Sequence, residues 1–291
     1  MFHETRTTAH RLASSPEAWI ERFGEDVLLS YKHDAARDVA LGELQAWEAS
    51  NGLRFRRVFG KFLARHNDER AAPLLIAGTP APPLTAVVQE NGLSFGLDFA
   101  AGYSAGLFID QRANRAFLRH AAPKRLLNTF AYTCAFSVAA AISGAESWSI
   151  DLSKKSLSRG RENFARNDLP LESHRFIADD VHELLPRLAR RGELFDAIVL
   201  DPPTFSRGND GRRFQIEGDL EPLLIAALGI AAPKAIVLIS TNCTRLSQRD
   251  LERTARYALK LTRRAGDFHR EPALLDIPTE FASRTLWLVL K

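Results

Sequence analysis

From about residue 123 onward, short apolar runs alternate with longer segments in which apolar positions recur at helical spacing. The apolar runs predict strands at Arg125–Phe130, Ser147–Ile150, Arg175–Ala178, Phe195–Leu200, Ala235–Ser240 and Thr285–Leu290. The segments between them predict helices at Phe136–Ser143, Leu152–Asn167, Val181–Arg191, Glu217–Ala231 and, after an S-x-x-D capping box, Ser247–Arg264. This alternation indicates right-handed βαβ units, and therefore an α/β fold with a mostly parallel, doubly wound, Rossmann-like sheet.

The amino-terminal part has a weaker pattern. Asn91-Gly92 between two β-like runs predicts a hairpin over Ala86–Asp98. Upstream, helices are predicted at residues 16–23 and 34–50, a strand is predicted at Leu53–Phe59, and the four prolines of Ala71–Leu84 indicate a linker. We therefore expect a small amino-terminal region of uncertain fold, residues 1–85, followed by a larger domain, residues 86–291.

Composition narrows the class of protein. With 291 residues and 45% hydrophobic content the chain can bury a full α/β core, and it has neither a long apolar span nor a leader-like amino terminus. We therefore expect a cytoplasmic protein with no membrane partner. Cys134 and Cys243 are not spaced as metal ligands, so we expect no metal site. The net charge of +4 comes with three basic clusters, which suit an RNA backbone and equally suit solvated helix faces. The clusters are Arg54, Arg56, Arg57, Lys61 and Arg65; Arg207, Arg212 and Arg213; and Arg253, Arg256, Lys260, Arg263 and Arg264.

The segment Ile198–Phe205 is the most informative short stretch. A buried strand there delivers Asp201 to the carboxyl end of the sheet, where open α/β sheets bind ligands. Pro202 and Pro203 stiffen the loop, and Phe205 follows four positions after the carboxylate. A carboxylate beside an aromatic ring can hold a nucleobase. The alternative is a plain exit from the strand, because Asp-Pro commonly opens turns.

Acidic residues end three of the predicted strands, at Asp151, at Asp179 with Asp180, and at Asp201. In a parallel sheet these ends share one edge, where one acid can accept both hydroxyls of a ribose and another can accept an adenine amino group. The loop after the first strand has no glycine, which argues against pyrophosphate, and there is no P-loop sequence. An adenosine cofactor without phosphates, S-adenosylmethionine, fits best.

Several motifs carry a more specific resemblance. They are Gly106-Leu107-Phe108-Ile109-Asp110-Gln111-Arg112, Asn128-x-Phe130-x-Tyr132-Thr133, Gly144-Ala145, Asp151-x-Ser153, Asp179-Asp180 and Asp201-Pro202-Pro203-Thr204-Phe205-Ser206. With them the chain resembles the class I, Rossmann-like RNA base methyltransferases, and is most similar to the bacterial enzymes that modify guanine N7 or cytosine C5 of 23S ribosomal RNA. The resemblance covers residues 86–291 in the same order.

The resemblance implies methyl transfer from S-adenosylmethionine to a base in RNA, with ribosomal RNA as the expected partner. It implies that Asp151 holds the ribose, Asp179 or Asp180 the adenine edge, residues 128–133 the methionine part and residues 201–205 the target base. The implied cofactor-binding residues are Phe108, Asp110, Arg112, Asn128, Phe130, Tyr132, Thr133, Asp151, Ser153, Asp179, Asp180 and Asp201. The implied catalytic residues are Asp201, Pro202, Phe205 and Cys243. Asp110 and Arg112 fit a structural ion pair equally well.

The chain also departs from this family. Cys134-Ala135 stands where relatives usually carry glycines, which could crowd the methionyl group, and Ser104-Ala105 replaces a usual Lys-Thr. The first 85 residues show no clear resemblance to the RNA-binding module of some relatives. A methyltransferase acting on a small molecule or protein, and a catalytically silent relative that binds S-adenosylmethionine or RNA, therefore remain as alternatives.

The role of Cys243 would distinguish methylation of cytosine C5 from methylation of guanine N7. Methylation of C5 needs a thiolate that adds to C6, because C5 has no lone pair, and Cys243 stands where the C5 enzymes place this cysteine. Guanine N7 has a lone pair and needs only positioning. Thr204-Phe205-Ser206 and Asn242 resemble the N7 type, so guanine N7 is favoured and cytosine C5 is kept as the alternative. Cys243 is also readily explained as a small buried residue at a strand end.

Overall fold

The computed structural model describes residues 6–63, 71–207 and 213–291. Arg65 and Arg212 of the basic clusters lie outside these residues, as do the side chains of Ser206 and Arg207. The chain divides into two compact units, Met1–Arg112 with Ala273–Phe281 and Ala113–Pro272 with Ala282–Lys291. The structure thus groups the hairpin with the amino-terminal unit, whereas the sequence suggested a boundary after residue 85.

The first unit is built on a five-stranded sheet of order β1-β2-β3-β4-β5. Its elements are β1 (Ala9–Ser14), β2 (Ala18–Phe23), β3 (Asp26–Tyr31), α1 (Asp34–Asn51), β4 (Arg57–Phe62) and β5 (Leu74–Gly78). Strands β3 and β4 are parallel and are joined through α1, and the other pairs are antiparallel. A separate hairpin, β6 (Thr85–Glu90) and β7 (Leu93–Asp98), turns at Asn91-Gly92 as predicted.

Two predictions for this unit are wrong, and a third is displaced, because β4 begins at Arg57 and the predicted strand Leu53–Phe59 overlaps it only in its last three residues. Residues 16–23 contain strand β2 and no helix, because Ala18 and Ile20 bury their side chains in one cluster with α1, while Phe23 is buried on the opposite face of the strand. The proline-rich segment 71–84 contains β5, which pairs with β4. The predicted helix at 34–50 is confirmed: His33 caps its start and Gly52, in the left-handed region, ends it.

The second unit is built on a seven-stranded sheet of order β10-β9-β8-β11-β14-β16-β15. Its strands are β8 (Arg125–Thr129), β9 (Glu146–Asp151), β10 (His174–Ala178), β11 (Phe195–Leu200), β14 (Ala231–Thr241), β15 (Gly266–His269) and β16 (Arg284–Leu290), with a short hairpin of β12 (Phe205–Arg207) and β13 (Arg213–Gln215). Its helices are α2 (Arg112–Ala121), α3 (Ala135–Ala141), α4 (Lys154–Ala165), α5 (Val181–Arg190), α6 (Ile216–Leu228) and α7 (Gln248–Leu261). Five adjacent strands, β10, β9, β8, β11 and β14, are parallel, and β16 is antiparallel to β14. The predicted mostly parallel α/β fold is confirmed.

The connections of this sheet define its ligand edge. After β8 the chain builds β9 and β10 on one side, and it then returns to place β11 on the other side of β8. Strand order reverses at this point, and in open α/β sheets ligands bind outside the carboxyl ends of the strands there. The loops that begin at Phe130 and Asp201 follow the two strands concerned.

Apolar side chains on both faces of the sheet hold the second unit together. One face packs Ile198, Leu200 and Val237 against helices such as α6, and the other packs Val199 and Trp287 against α2 and α3. Trp287, which is fully buried, donates its indole N–H to Asn114 at 2.8 Å. Within the described residues, no helix has the length and apolar character needed to cross a membrane.

Candidate active site

Asp151 ends β9 with its carboxylate held in place by the backbone. One oxygen accepts the Tyr132 N–H at 2.8 Å and the other accepts the Ser153 N–H at 2.8 Å. Burial raises the pKa of Asp151, and these two hydrogen bonds oppose the rise. A carboxylate offers about four acceptor positions, so two remain for a ligand that donates two hydroxyl protons.

The loop after β8 has a tightly turned backbone. Phe130, Tyr132 and Cys134 have φ values of 53°, 48° and 60°, a left-handed conformation that is rare outside glycine. Cys134 is the amino-terminal cap residue of α3, and its thiol is fully buried against Gly160 of α4. Burial raises the pKa of Cys134 to about 12, which makes the thiol a packing group and excludes it as a nucleophile at neutral pH.

Buried polar side chains brace this loop from beneath. Asn128 donates its amide to Ser137 at 2.9 Å, and Ser137 is hydrogen-bonded to Ser149 at 2.7 Å. Asn163 on α4 donates to the carbonyl of Thr133 at 3.0 Å. Asn128 and Thr133, two of the predicted cofactor residues, are both almost fully buried, and these contacts make them supports for the loop.

The acidic pair after β10 has divided roles. Asp180 is the cap of α5 and accepts the His182 N–H at 2.8 Å. Asp179 accepts the Asp180 N–H at 2.9 Å and forms an ion pair with Arg187. Since Asp180 is buried and Asp179 is half-buried, Asp179 is the better placed of the two to meet a ligand. Ser153 similarly caps α4 by accepting the Ser156 N–H.

The Asp201 loop lies at the carboxyl end of β11. Asp201 is half-buried, Pro202 is buried, and Phe205 is 40% exposed at the start of β12. Thr204 donates its hydroxyl to the Asn242 side-chain oxygen at 2.8 Å, which ties this loop to the segment after β14. Two stretches 38 residues apart in sequence are thereby joined at one edge of the sheet.

Cys243 lies immediately after Asn242 in this segment. Its side chain is 2% exposed, and its thiol donates to the Glu217 carboxylate at 3.6 Å. Glu217 is in turn ion-paired with Arg245, and Arg284 donates to the Cys243 carbonyl. The arrangement joins a thiol, a proton acceptor and a cation that holds the acceptor, the same kind of order seen in activated nucleophiles.

The remaining predicted cofactor residues, Phe108, Asp110 and Arg112, belong to the first unit. Phe108 is 48% exposed. Arg112 donates to the Ala9 carbonyl at 2.9 Å and forms an ion pair with Asp276. These contacts give Arg112 a structural partner that the sequence did not suggest.

Sequence reasoning missed Gly160, Asn163 and Glu217. Only Gly160 left a signal, as a glycine in the interior of an amphipathic helix, where it often marks a close packing contact. Asn163 and Glu217 reach the site through helix packing, which no short sequence motif indicates. Within the part of the chain that the structure describes, no group of three or more His, Cys, Asp or Glu side chains is placed to hold a metal ion.

Comparison with known proteins gives a consistent match. The family model described as S-adenosylmethionine-dependent methyltransferase matches residues 63–264. Over 159 residues, 54% of this chain, the sequence is 40% identical to ribosomal RNA large subunit methyltransferase YwbD of Bacillus subtilis. Over 175 residues, 60% of the chain, it is 35% identical to ribosomal RNA large subunit methyltransferase I of Aeromonas salmonicida. The chain spans about two fifths of each relative's length, 40% and 43%.

A solved structure covers more of the chain. The crystal structure of SMU.776, described as a methyltransferase complexed with SAH, superposes with a TM-score of 0.85 and 26% identity. The superposition covers 99% of this chain and 76% of that one. Both units of the chain therefore have counterparts in one known protein.

Proposed function

The chain belongs to the S-adenosylmethionine-dependent methyltransferase family, and we propose from this premise that it methylates a base in the RNA of the large ribosomal subunit. The relatives named for that RNA support the substrate class. One observation carries the proposal: Asp151 and the Asp201–Phe205 loop lie at the carboxyl ends of β9 and β11, the two strands on either side of β8. Asp151 is the carboxylate expected to bind the cofactor, and the loop is the segment expected to bind the base.

The residues at this edge fit S-adenosylmethionine. Asp151 keeps acceptor positions for a ribose diol, and Asp179 supplies a half-buried carboxylate for an adenine amino group. The left-handed turns of the Phe130–Cys134 loop bring its backbone to the edge without glycine. When bound, the cofactor supplies an activated methyl group on its sulfonium.

The protein's own groups then have to orient the acceptor base. Asp201 is assigned to a hydrogen-bond donor on the base, and Phe205, 40% exposed, to its flat face. Pro202 keeps the loop rigid, so that the base is held at a fixed distance from the cofactor. These roles predict that Asp201→Asn lowers transfer while the affinity for S-adenosylmethionine stays within a few fold.

Guanine N7 is the favoured acceptor. The N7-like residues Thr204 and Asn242 share a hydrogen bond at 2.8 Å, and the thiol beside them is buried. Cytosine C5 is the second candidate, favoured by the hydrogen bond between the Cys243 thiol and Glu217, since a nucleophilic cysteine needs an acceptor for its proton.

One experiment tests both the class of substrate and the atom that is methylated. Purified protein is incubated with labelled S-adenosylmethionine and protein-free large-subunit ribosomal RNA, and the modified nucleoside is identified by mass spectrometry, with Asp201→Asn as the control. Methylation of a small molecule or protein, with none in RNA, would contradict the proposal. For N7, Cys243→Ala keeps kcat within a few fold. For C5 it abolishes turnover, and RNA containing 5-fluorocytosine yields a covalent adduct with the unmutated protein.

A further inference from the structure

The outer face of α7 carries a continuous row of cations, which we call the α7 ridge: Arg249, Arg253, Arg256 and Lys260. Their spacing of four, three and four residues puts them on one stripe of the helix, about 16 Å long. All four are exposed. The buried face of the helix lies on the other side and consists of Leu251, Ala255, Ala258 and Leu259.

Two acidic residues of the same helix, Asp250 and Glu252, lie beside the four cations of the α7 ridge. Asp250 forms an ion pair with Arg253, and the Arg256 guanidinium lies over the Phe268 ring at 4.7 Å. Among the described residues, no ion pair involves Arg249 or Lys260. The α7 ridge therefore keeps a net positive charge facing solvent.

Apolar groups lie exposed beside these cations. Tyr257 is 48% exposed and Leu261 is 52% exposed, on the flank of the same stripe. An exposed aromatic ring among cations is typical of surfaces that bind single-stranded nucleic acid, because bases stack on the ring while phosphates meet the charges.

The α7 ridge also starts next to the candidate active site. The chain leaves β14 at Thr241, passes Asn242 and Cys243, and enters α7 through its cap, Ser247. Arg249 lies in the first turn, so it is the ridge residue nearest to the carboxyl edge of the sheet. From there the ridge runs toward the opposite edge.

We propose that the α7 ridge binds the phosphate backbone of the RNA substrate and leads the strand to the carboxyl edge. The inference rests on the proposed function for its choice of polyanion. Charge complementarity supports it: one turn of helix, about 5 Å, separates successive cations, which is a row that a polyanion can follow. Tyr257 provides a stacking surface for a base along this path.

The test compares two variants that lose the same charge. The ridge variant carries Arg249→Gln, Arg253→Gln, Arg256→Gln and Lys260→Gln. The control carries Arg166→Gln, Arg190→Gln, Arg191→Gln and Lys234→Gln, exposed cations at or near the ends of α4 and α5 and the start of β14, toward the opposite edge of the sheet. Affinity for labelled, protein-free large-subunit ribosomal RNA is measured over a series of KCl concentrations, and affinity for S-adenosylmethionine is measured by calorimetry.

The expected result is a change of salt dependence in the ridge variant alone. Four lost phosphate contacts reduce the slope of log K against log salt by about 3, while the control keeps the slope of the unmutated protein. Both variants retain the affinity for S-adenosylmethionine. Tyr257→Ala weakens RNA binding at least about fivefold without changing the slope.

The possible outcomes distinguish failure of the α7 ridge proposal from failure of the proposed function. Equal changes in the two variants, or no change in the ridge variant, overturn the α7 ridge while RNA methylation stands. Salt-dependent binding that the ridge variant loses, in a protein that transfers no methyl group to RNA, supports the ridge and contradicts the proposed function. An unmutated protein with no salt-dependent affinity for RNA overturns both.

Discussion

Gly160 allows the turned loop after β8 to pack against α4, and replacing it with alanine should disturb both. A Cβ atom at this position would lie 2.3 Å from the Cys134 Sγ and 3.0 Å from its Cβ. Contacts below 3 Å require movement, and the sulfur has little room because Cys134 is fully buried. The loop backbone must therefore shift if the helix is to remain in place.

The expected free-energy change follows from two opposing effects. Alanine in a helix interior is favoured over glycine by about 1 kcal/mol, whereas overpacking a well-packed core costs about 1–3 kcal/mol. The 2.3 Å contact puts Gly160→Ala at the upper end of that range, so we expect a net loss of about 2 kcal/mol. A shifted loop also moves the Tyr132 N–H away from Asp151, and S-adenosylmethionine affinity should fall severalfold.

A double-mutant cycle isolates this contact. Cys134→Gly removes the sulfur and suits the φ of 60°, so in that background Gly160→Ala should become neutral or stabilising by about 1 kcal/mol. Urea unfolding gives the free energies, and calorimetric titration gives the cofactor affinities. The reasoning is refuted if Gly160→Ala is as stable as the unmutated protein, or if its effect is the same in both backgrounds.

Three further predictions concern buried charges. Asp151→Ala should weaken S-adenosylmethionine binding, measured by calorimetry, at least tenfold. Because burial raises the pKa of Asp151, the affinity of the unmutated protein should begin to fall on acidification at a higher pH than an ordinary aspartate would cause. The variant should lack this trend. Burial, with Arg112, lowers the pKa of His10 to about 4, so urea unfolding should show stability lost as the pH falls from 6.5 to about 4. His10→Asn should remove this loss, and an unchanged pH profile in that variant would contradict the prediction. Asp26→Ala leaves Arg57 buried without its carboxylate and should destabilise the first unit by about 3–5 kcal/mol in urea, whereas a smaller loss than for a surface Asp→Ala would disprove the pairing.

The second unit could be predicted from the sequence because its strands are recognisable from short local patterns. The central parallel strands are short runs with buried side chains on both faces, and an acid or a turn marks their ends, as Leu200 and Asp201 illustrate. The predicted strand Phe195–Leu200 matches β11 in full, and the capping box Ser247–Asp250 is present at the start of α7. The acidic strand ends could be assigned to one edge by the same reasoning.

The first unit could not be predicted in the same way. Its strands β1 and β2 are antiparallel, and their stability depends on partners elsewhere in the sheet. The apolar positions Ala18, Ile20 and Phe23 suit a strand and a helical turn about equally. Strand β5 pairs with β4 despite the prolines around it, because Pro73 precedes the strand and Pro80 follows it.

Contacts between distant residues explain what the sequence could not reveal about the site. The pairs Asn163–Thr133 and Cys243–Glu217 join residues 30 and 26 positions apart, and each depends on how a helix packs on its strand. Neither pair forms a motif. The residues that could be predicted are those whose place follows from strand order alone.

The Cys134-Ala135 departure from the family pattern bears on whether the protein turns over. A side chain in place of glycine threatens the cofactor only if it projects into the space that the cofactor needs. The Cys134 thiol is instead buried against Gly160, beneath the loop, while Asn163 and Asp151 hold the neighbouring backbone. Gly160 on α4 leaves the space that the Cys134 side chain fills, so this side chain gives no physical reason to expect a catalytically silent relative.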